Sequence, residues 1–246
     1  MLSRMTEHTE NPQKIAVVTG GSAGIGEATA RALAADGWTV YVAARRKERC
    51  EQIAAEIGGV GVEVDVTDQG SVDQLAGLLD RVDLLVNNAG GARGLDFLRD
   101  AKPEDWDWMY QANVMGTMRM TKALYPQLIA AEGLVVNVGS MAGWDAYPGG
   151  SGYNAAKFGL RALTRAFRRE EAANPIRITE IDPGRVKTDF SINRFDGDTQ
   201  RADAVYEDKL NLTAEDIAEA IRWVASLPKH VNIDTMNIMP RDQAER

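Results

Sequence analysis

Short apolar runs alternate along the chain with segments of helical period. The strand-like runs are rich in Val and Ile and cover residues 14–20, 38–44, 59–66, 82–90, 133–140, 176–184 and, more weakly, 235–239. Between them lie segments with apolar positions at helical spacing, over residues 25–37, 47–57, 71–79, 103–131, 153–172 and 214–226. Continuous apolar strands that alternate with helices favour a parallel sheet covered on both faces.

This alternation predicts the α/β class. Right-handed crossovers between parallel strands give a doubly wound sheet, the Rossmann fold. The chain contains no internal repeat or low-complexity linker, so we expect a single domain over residues 14–246 preceded by a polar N-terminal tail over residues 1–13.

Two features stand out near the C-terminus. Thr213 followed by Asp216 is a good start for the last helix. Residues 189–211 are polar and interrupt the alternation, which is typical either of a mobile lid or of an ordinary surface connection.

The stretch "TGGSAGIG" follows the first predicted strand and places Gly20, Gly24 and Gly26 at a strand-to-helix turn. Ligands of open parallel sheets bind outside the carboxyl ends of the strands. Glycines let the backbone approach a pyrophosphate, and the N-terminus of the following helix offers N–H groups. The turn lacks the Lys-Ser/Thr ending of a phosphoryl-transfer loop, so a bound nucleotide is favoured over phosphoryl transfer.

The second strand ends in "AARRKERC", with Arg45 and Arg46 directly after it. An acidic residue here binds the adenosine ribose of NAD, whereas Arg accommodates the 2′-phosphate of NADP. Two cations at a helix N-terminus also oppose the helix dipole, so a structural role explains them poorly. The sequence therefore favours NADP over NAD.

Unusual residues follow the other strands as well. Asp65 and Val66 follow the third, "NNAG" (87–90) the fourth, Ser140 the fifth and the Pro183–Gly184 pair the sixth. The stretch "SGYNAAKFG" then places Tyr153 four residues before Lys157. Taken alone, this pair fits one polar turn of an amphipathic helix as well as a catalytic pair.

Composition excludes several other classes of function. The 246 residues carry a net charge of −8, which disfavours nucleic-acid binding. One cysteine and two distant histidines make a disulfide framework or a zinc site improbable. There is no apolar run of about 18 residues and no apolar segment at the start, so we expect no membrane span, no signal peptide and a cytoplasmic protein.

The motifs "TGGSAGIG", "NNAG", "YNAAK" and "PGRVKT", together with Asn113 and Ser140, resemble the short-chain dehydrogenase/reductase family over nearly the whole chain. The C-terminal stretches "SINRFDGD" and "LTAEDIAEAIRWVASLPKHVNIDTMNIMP" resemble its NADP-dependent branch, which oxidises 3-hydroxy acids, serine and L-allo-threonine. The resemblance implies a cytosolic homo-oligomer, typically a tetramer.

The resemblance also implies roles for individual residues. Tyr153 is expected to be the general base in oxidation, and Lys157 to lower the pKa of its phenol and hold the nicotinamide ribose. Ser140 is expected to hydrogen-bond the substrate oxygen, and Asn113 to anchor a water-linked proton relay. The cofactor-binding set so implied is Gly20, Ser22, Gly24, Ile25, Gly26, Arg45, Arg46, Asp65, Val66, Asn87, Ala89, Gly90, Tyr153, Lys157, Pro183, Gly184, Val186 and Thr188.

A 3-hydroxy acid needs a cation for its carboxylate. Arg185, Arg93 and Arg194 are the candidates, each with exposure at the surface as the alternative, and Trp144 and Tyr147 are candidate cleft walls. Two other functions remain open: a reductase of bulkier ketones or 3-ketoacyl thioesters, and a non-catalytic protein that senses NADP.

Overall fold

A computed structural model describes residues 13–244, which contain one seven-stranded sheet in the order β3-β2-β1-β4-β5-β6-β7. Every strand pairs in parallel with its neighbours. The strands are β1 (Ile15–Thr19), β2 (Thr39–Ala44), β3 (Val60–Glu63), β4 (Leu84–Asn87), β5 (Leu134–Val138), β6 (Arg177–Pro183) and β7 (Thr235–Ile238). The predicted doubly wound α/β sheet is confirmed.

The helices cover both faces of this sheet. They are α1 (Gly24–Ala35), α2 (Lys47–Ile57), α3 (Gln69–Ala76), α4 (Pro103–Tyr110), α5 (Gly116–Ala131), α6 (Ser151–Glu170), α7 (Phe190–Arg194), α8 (Thr199–Ala204) and α9 (Ala214–Ser226). A π-helical turn, Gln111–Met115, joins α4 to α5, and short 3₁₀ turns occupy Leu98–Asp100 and Met141–Gly143.

The predicted elements differ from the observed ones mainly at their ends. The long helical segment 103–131 is interrupted by the π-helical turn. Thr213 begins α9 through a capping box with Asp216, as its sequence predicts. The predicted tail lies outside the described residues apart from Gln13.

Alternation along each strand divides the core into two layers. Ala16 and Val18 of β1 pack on the face covered by α1, α2 and α9, where Leu33, Ile53 and Ile221 are buried. Val17 packs on the opposite face, and its layer includes Leu75 of α3 together with Leu124 and Leu128 of α5. Successive strand residues point to opposite faces, so a run that is apolar throughout supplies both layers.

The strand order reverses beside β1. β1 pairs with β2 on one side and with β4 on the other, so the chain crosses the sheet between β3 and β4. The connections that follow β1 and β4 therefore leave the sheet in opposite directions and open a crevice at their carboxyl ends. None of the helices within residues 13–244 is long and apolar enough to cross a membrane.

Candidate active site

A cleft of about 480 Å³ lies at this crevice. Eleven of the predicted cofactor residues line it: Gly20, Ser22, Gly24, Ile25, Arg45, Arg46, Asp65, Val66, Ala89, Gly90 and Thr188. The carboxyl ends of β1, β2 and β4 thus converge on one elongated opening, as the parallel sheet requires.

The glycine turn fits a ligand that approaches the backbone closely. Gly20 has a φ of +63°, a conformation that favours glycine. A side chain at Gly26 would collide with the carbonyl oxygen of Gly20 and with Asn88 Nδ2, so α1 begins tightly against the turn. Asn88 also donates to the carbonyl oxygens of Thr19 (3.0 Å) and Gly20 (3.3 Å), which ties the turn to the end of β4.

Two exposed guanidinium groups stand at the other end of the cleft. Arg46 donates to Ser22 Oγ (3.0 Å) and to the Ser22 carbonyl oxygen (3.0 Å), while Arg45 follows β2 directly and also lines the opening. Guanidinium groups bind phosphate through paired hydrogen bonds. This end of the cleft therefore suits an anionic group.

The prediction for Asn87 is wrong in its side-chain direction. Asn87 is buried in β4 and donates to Asn137 Oδ1 (2.9 Å) and Thr121 Oγ1 (3.1 Å), away from the cleft. Asn88, the next residue, lines the cleft instead. One step along a strand reverses the side-chain direction, which the motif alone does not reveal.

The turn after β6 departs from its prediction in part. Thr188 lines the cleft, whereas Pro183, Gly184 and Val186 do not. Gly184 donates to the Ile238 carbonyl oxygen (2.7 Å), and Val186 packs in the α1 layer and bridges to Leu212.

Tyr153 and Lys157 lie one turn apart on α6 and are 8% and 7% exposed. The ring of Tyr153 packs against Phe190 of α7 with centroids 5.6 Å apart. Ser140 follows β5, and its Oγ accepts from the Ala142 N–H (3.1 Å), which begins the Met141–Gly143 turn. Side chains from three separate elements thus meet at one point beside the cleft.

The expected effect of Lys157 on the phenol is not what the structure shows. Burial raises the pKa of Tyr153, and hydrogen bonding with Ser140 and the charge of Arg194 act in the lowering direction. Burial also lowers the pKa of Lys157 to about 8. Lys157 Nζ donates to the Val138 carbonyl oxygen (2.9 Å) and lies 5.7 Å from the centre of the Tyr153 ring.

Asn113 lies in the π-helical turn and is 1% exposed. Its Nδ2 donates to the carbonyl oxygens of Met109 (2.7 Å) and Gly91 (2.8 Å), and its Oδ1 accepts from the Gly91 N–H (3.2 Å). Turns of this kind are frequent at functional sites. Asn113 therefore fixes the loop that follows β4.

The prediction for Arg185 is corrected by its contacts. Arg185 donates to Asn211 Oδ1 (3.0 Å) and forms an ion pair with Asp242 (2.9 Å). These contacts hold it against the C-terminal segment, and it lines neither the cleft nor the small pocket beside Tyr153. Adjacency to the Pro-Gly turn placed the backbone but not the guanidinium.

Arg194 occupies the position that the substrate cation requires. The side chain is buried, and its Nε donates to the Gly94 carbonyl oxygen (2.7 Å). A terminal nitrogen donates to Tyr147 Oη (3.1 Å). Arg194 and Tyr153 both line a pocket of about 20 Å³. The only sequence signal for this position was an arginine in the polar segment 189–211.

The segment 189–211 forms α7 and α8 and lies against the catalytic residues. Phe190 and Arg194 are four residues apart on α7, so both reach Tyr153 from one helix face. The Gly94 N–H donates to the Arg194 carbonyl oxygen (3.0 Å), which joins α7 to the loop after β4. This segment therefore covers the site, as the lid interpretation predicts.

The remaining substrate candidates divide. Arg93 lines both the cleft and the small pocket, but it pairs with Asp105 (3.3 Å) and stacks on Trp108 (4.3 Å). Trp144 is not a cleft wall: its indole N–H donates to Asp182 (2.8 Å), and Arg161 stacks on its ring. Tyr147 contacts Arg194 and so belongs to the site through that guanidinium.

Comparison with known proteins agrees with this geometry. The short chain dehydrogenase family profile matches residues 14–199. This chain belongs to the short-chain dehydrogenase family. Like its relatives, it places the glycine turn, Ser140 and the Tyr153–Lys157 pair around the crevice of one parallel sheet.

Three relatives align along nearly their whole length. An uncharacterised oxidoreductase of Mycobacterium tuberculosis is 54% identical, covering 94% of this chain and 93% of the relative. The serine 3-dehydrogenase of Agrobacterium fabrum is 38% identical, covering 93% and 94%. The NADP-dependent 3-hydroxy acid dehydrogenase of Escherichia coli is 37% identical, covering 94% and 96%.

A solved structure extends the similarity to the fold. The closed form of a serine dehydrogenase complexed with NADP⁺ superposes with a TM-score of 0.91 at 36% identity. The match covers 94% of this chain and 96% of that chain. The whole described sheet, and not the glycine turn alone, is therefore shared with a serine dehydrogenase.

Proposed function

We propose that this protein is an NADP-dependent dehydrogenase that transfers a hydride between the nicotinamide and a short 3-hydroxy acid or β-hydroxy amino acid. Serine, L-allo-threonine and 3-hydroxypropionate represent this substrate class. The observation that carries the proposal is the buried Arg194 guanidinium beside the Tyr153 phenol.

Arg194 suits a substrate carboxylate because no acidic side chain within residues 13–244 lies within ion-pair distance of it. A buried charge is costly unless it is paired. The hydrogen bonds from Arg194 to Gly94 and Tyr147 fix its orientation and leave the positive charge to be compensated by an anion. A carboxylate is the anionic group that a 3-hydroxy acid supplies.

The cleft suits NADP for independent reasons. Its glycine turn admits a pyrophosphate at the N-terminus of α1, and a side chain at Gly26 would close that space. Arg45 and Arg46 would hold the 2′-phosphate, and Asp65 and Val66 stand where the adenine is expected. The similarity to an NADP⁺ complex and to an NADP-dependent dehydrogenase supports the same cofactor.

The described side chains suggest a division of tasks in alcohol oxidation. When bound, NADP supplies the hydride acceptor. Tyr153 takes the hydroxyl proton on its phenol oxygen, and Ser140 hydrogen-bonds the substrate oxygen. Lys157 holds the ribose with its ammonium, and Phe190 excludes water above the phenol. In carbonyl reduction Tyr153 returns the proton.

Further properties are proposed on weaker grounds. Residues 14–246 form the catalytic domain and residues 1–13 a tail, in line with the family match that begins at residue 14. A homotetramer is proposed by resemblance to the family. A cytoplasmic location is proposed because Cys50 is a free, buried thiol.

A substrate panel tests the function directly. The 3-hydroxy acids, uncharged secondary alcohols and bulky ketones are compared with NADP and NAD, following the absorbance of the reduced nicotinamide. We expect kcat/KM to be at least about tenfold higher for the acids with NADP. Preference for bulky ketones would instead indicate a reductase of larger substrates. Cofactor binding without any turnover would indicate a non-catalytic sensing protein.

A further inference from the structure

Two carboxyl groups are buried side by side behind the catalytic residues. Glu180 and Asp182 of β6 are 1% and 0% exposed. They are two residues apart on one strand, so both point to the face covered by α6. A side chain at Gly139 would collide with Asp182 Oδ1 and would lie 3.0 Å from Glu180 Oε1. Both carboxyl groups therefore converge on the same glycine, directly before Ser140.

Asp182 holds both ends of the turn that carries Ser140. Its Oδ1 accepts from the Ser140 N–H (3.0 Å), and its Oδ2 accepts from the Trp144 indole N–H (2.8 Å). Ser140 precedes the Met141–Gly143 turn and Trp144 follows it. Two N–H donors on one carboxyl group favour its anionic form.

Glu180 is placed differently. Its Oε2 is buried and has no hydrogen-bond partner within the described residues. The side chain lies in a polar row that crosses the sheet, since Asn87 pairs in register with Asn137 and Asn137 with Glu180. Burial is the main cause that raises the pKa of Glu180, and the charge of Asp182 and a hydrogen bond to it act in the same direction.

The charge of Lys157 depends on these neighbours. Burial lowers its pKa, and attraction from Asp182 and then from Glu180 raises it. The other charged or titratable groups that face this part of the site are Tyr153 on α6, Arg194 on α7, Tyr147 in the loop before α6 and Arg161 one turn beyond Lys157. Of all these groups, only Glu180 and Asp182 are carboxyl groups.

We propose that Glu180 and Asp182 act as one unit that carries a single proton and a single negative charge. Glu180 is the protonated acid and donates a hydrogen bond to the anionic Asp182. Asp182 is then a positioning residue for two catalytic groups: it orients Ser140 through the backbone and retains the ammonium of Lys157 by its charge. The assignment rests on the proposed function only in treating Ser140 and Lys157 as catalytic.

The proton on Glu180 is tested by infrared spectroscopy of the protein without substrate at pH 6. The wild-type spectrum minus that of Glu180→Gln is expected to contain the carbonyl band of a protonated carboxylic acid. The glutamine amide still donates to Asp182, so the variant keeps the hydrogen bond. A difference spectrum that instead contains carboxylate bands overturns the assignment of the proton.

The charge of Asp182 is tested through the titration of Lys157, followed by NMR of protein with isotope-labelled lysine and assigned with Lys157→Met. Asp182→Asn is expected to lower the apparent pKa of Lys157 by about one unit. Glu180→Gln is expected to lower it by less, because it replaces a neutral group by another. Asp234→Asn removes a carboxylate that is 73% exposed, and it should leave the titration of Lys157 in place.

Equal shifts in Asp182→Asn and Glu180→Gln would show that both acids are ionised, and no shift in either would show that neither charge acts on Lys157. If Asp182→Asn does not fold, the infrared difference and the Lys157 titration in Glu180→Gln still decide. A shared charge also predicts that the alkaline limb of kcat/KM moves to lower pH in Asp182→Asn. The spectroscopic results stand independently of turnover, so a failed substrate panel would overturn the proposed function and not the acid pair.

Discussion

The guanidinium carbon of Arg194 lies 5.9 Å from the centre of the Tyr153 ring, although the two residues are 41 positions apart in sequence. The cation comes from the covering segment and the phenol from α6. A carboxylate bound by Arg194 therefore lies beside the proposed proton acceptor. A short hydroxy acid is the kind of molecule that brings a carboxylate and a hydroxyl group to two sites this close.

Replacing Arg194 with Met should impair charged substrates selectively. A hydrogen-bonded charged contact contributes about 1.5–3 kcal/mol, so kcat/KM for 3-hydroxy acids should fall roughly 10- to 100-fold. Turnover of uncharged secondary alcohols should change far less. Steady-state kinetics with both classes measures the effect. Arg185→Met is the matched control, because Arg185 is bound to Asp242 and Asn211. A selective loss in that control instead would assign the carboxylate to Arg185.

Replacing Tyr153 with Phe should remove turnover and retain cofactor binding. General acid–base catalysis contributes about 10²- to 10⁴-fold, and kcat should fall by that factor. The ring still packs on Phe190, so fluorescence titration with NADPH should give a nearly unchanged Kd. Tyr110→Phe removes another hydroxyl from an exposed tyrosine and should leave kcat near the wild-type value. Undiminished turnover in Tyr153→Phe would exclude the phenol as the proton acceptor.

Replacing Arg45 with Ala should weaken NADP and spare NAD. Loss of one charge-assisted contact to the 2′-phosphate should raise the Kd for NADP by about 10-fold or more. The Kd for NAD should change little, because NAD lacks that phosphate. Lys47→Ala is the control, since Lys47 lies nearby on α2 but pairs with Glu51 and does not line the cleft. Equal losses for both cofactors would place Arg45 away from the 2′-phosphate.

The titration of Lys157 should be visible in the free energy of unfolding. Its pKa is about 8 in the folded protein against 10.5 as a model value, so between these pH values the unfolded chain binds more protons. The contribution of Lys157 to stability therefore rises with pH across this window, by about 3 kcal/mol in total. Lys157→Met lacks this rise.

Denaturant unfolding at several pH values from 7 to 10 measures this difference. The stability of Lys157→Met relative to wild type should decline as the pH increases through the window. A constant difference would show that the lysine titrates near its ordinary pKa. The raised pKa of Tyr153 acts in the opposite direction, with a contribution lost above pH 10, so the measurements stop there.

Particular residues show how far sequence reasoning reached into the site. The predicted residues from Gly20 to Val66 line the cleft, apart from Gly26, because their backbone position at a strand end settles where they lie. Asn87, Trp144 and Arg185 are at the predicted edge of the sheet, but their side chains bind other protein groups. Backbone placement follows from strand order, whereas side-chain direction depends on neighbours that are remote in sequence.

The paired acids show the same division. "ITEIDPG" reads as one buried strand, and alternation places Glu180 and Asp182 on one face. Nothing in that stretch indicates that a glycine before Ser140 leaves room for both carboxyl groups or that Lys157 faces them. These relations arise only when β5, β6 and α6 pack together.

The sequence by itself determined the α/β class, the order of strands and helices, the glycine turn and the elements that carry Ser140, Tyr153 and Lys157. These follow from periodicity and local backbone chemistry, which act over a few residues. Tertiary structure decided that Arg194 and not Arg185 lies over the phenol and that two carboxyl groups are buried behind the lysine. The physical reason is that burial and charge depend on distances between elements far apart in the chain, and only packing sets those distances.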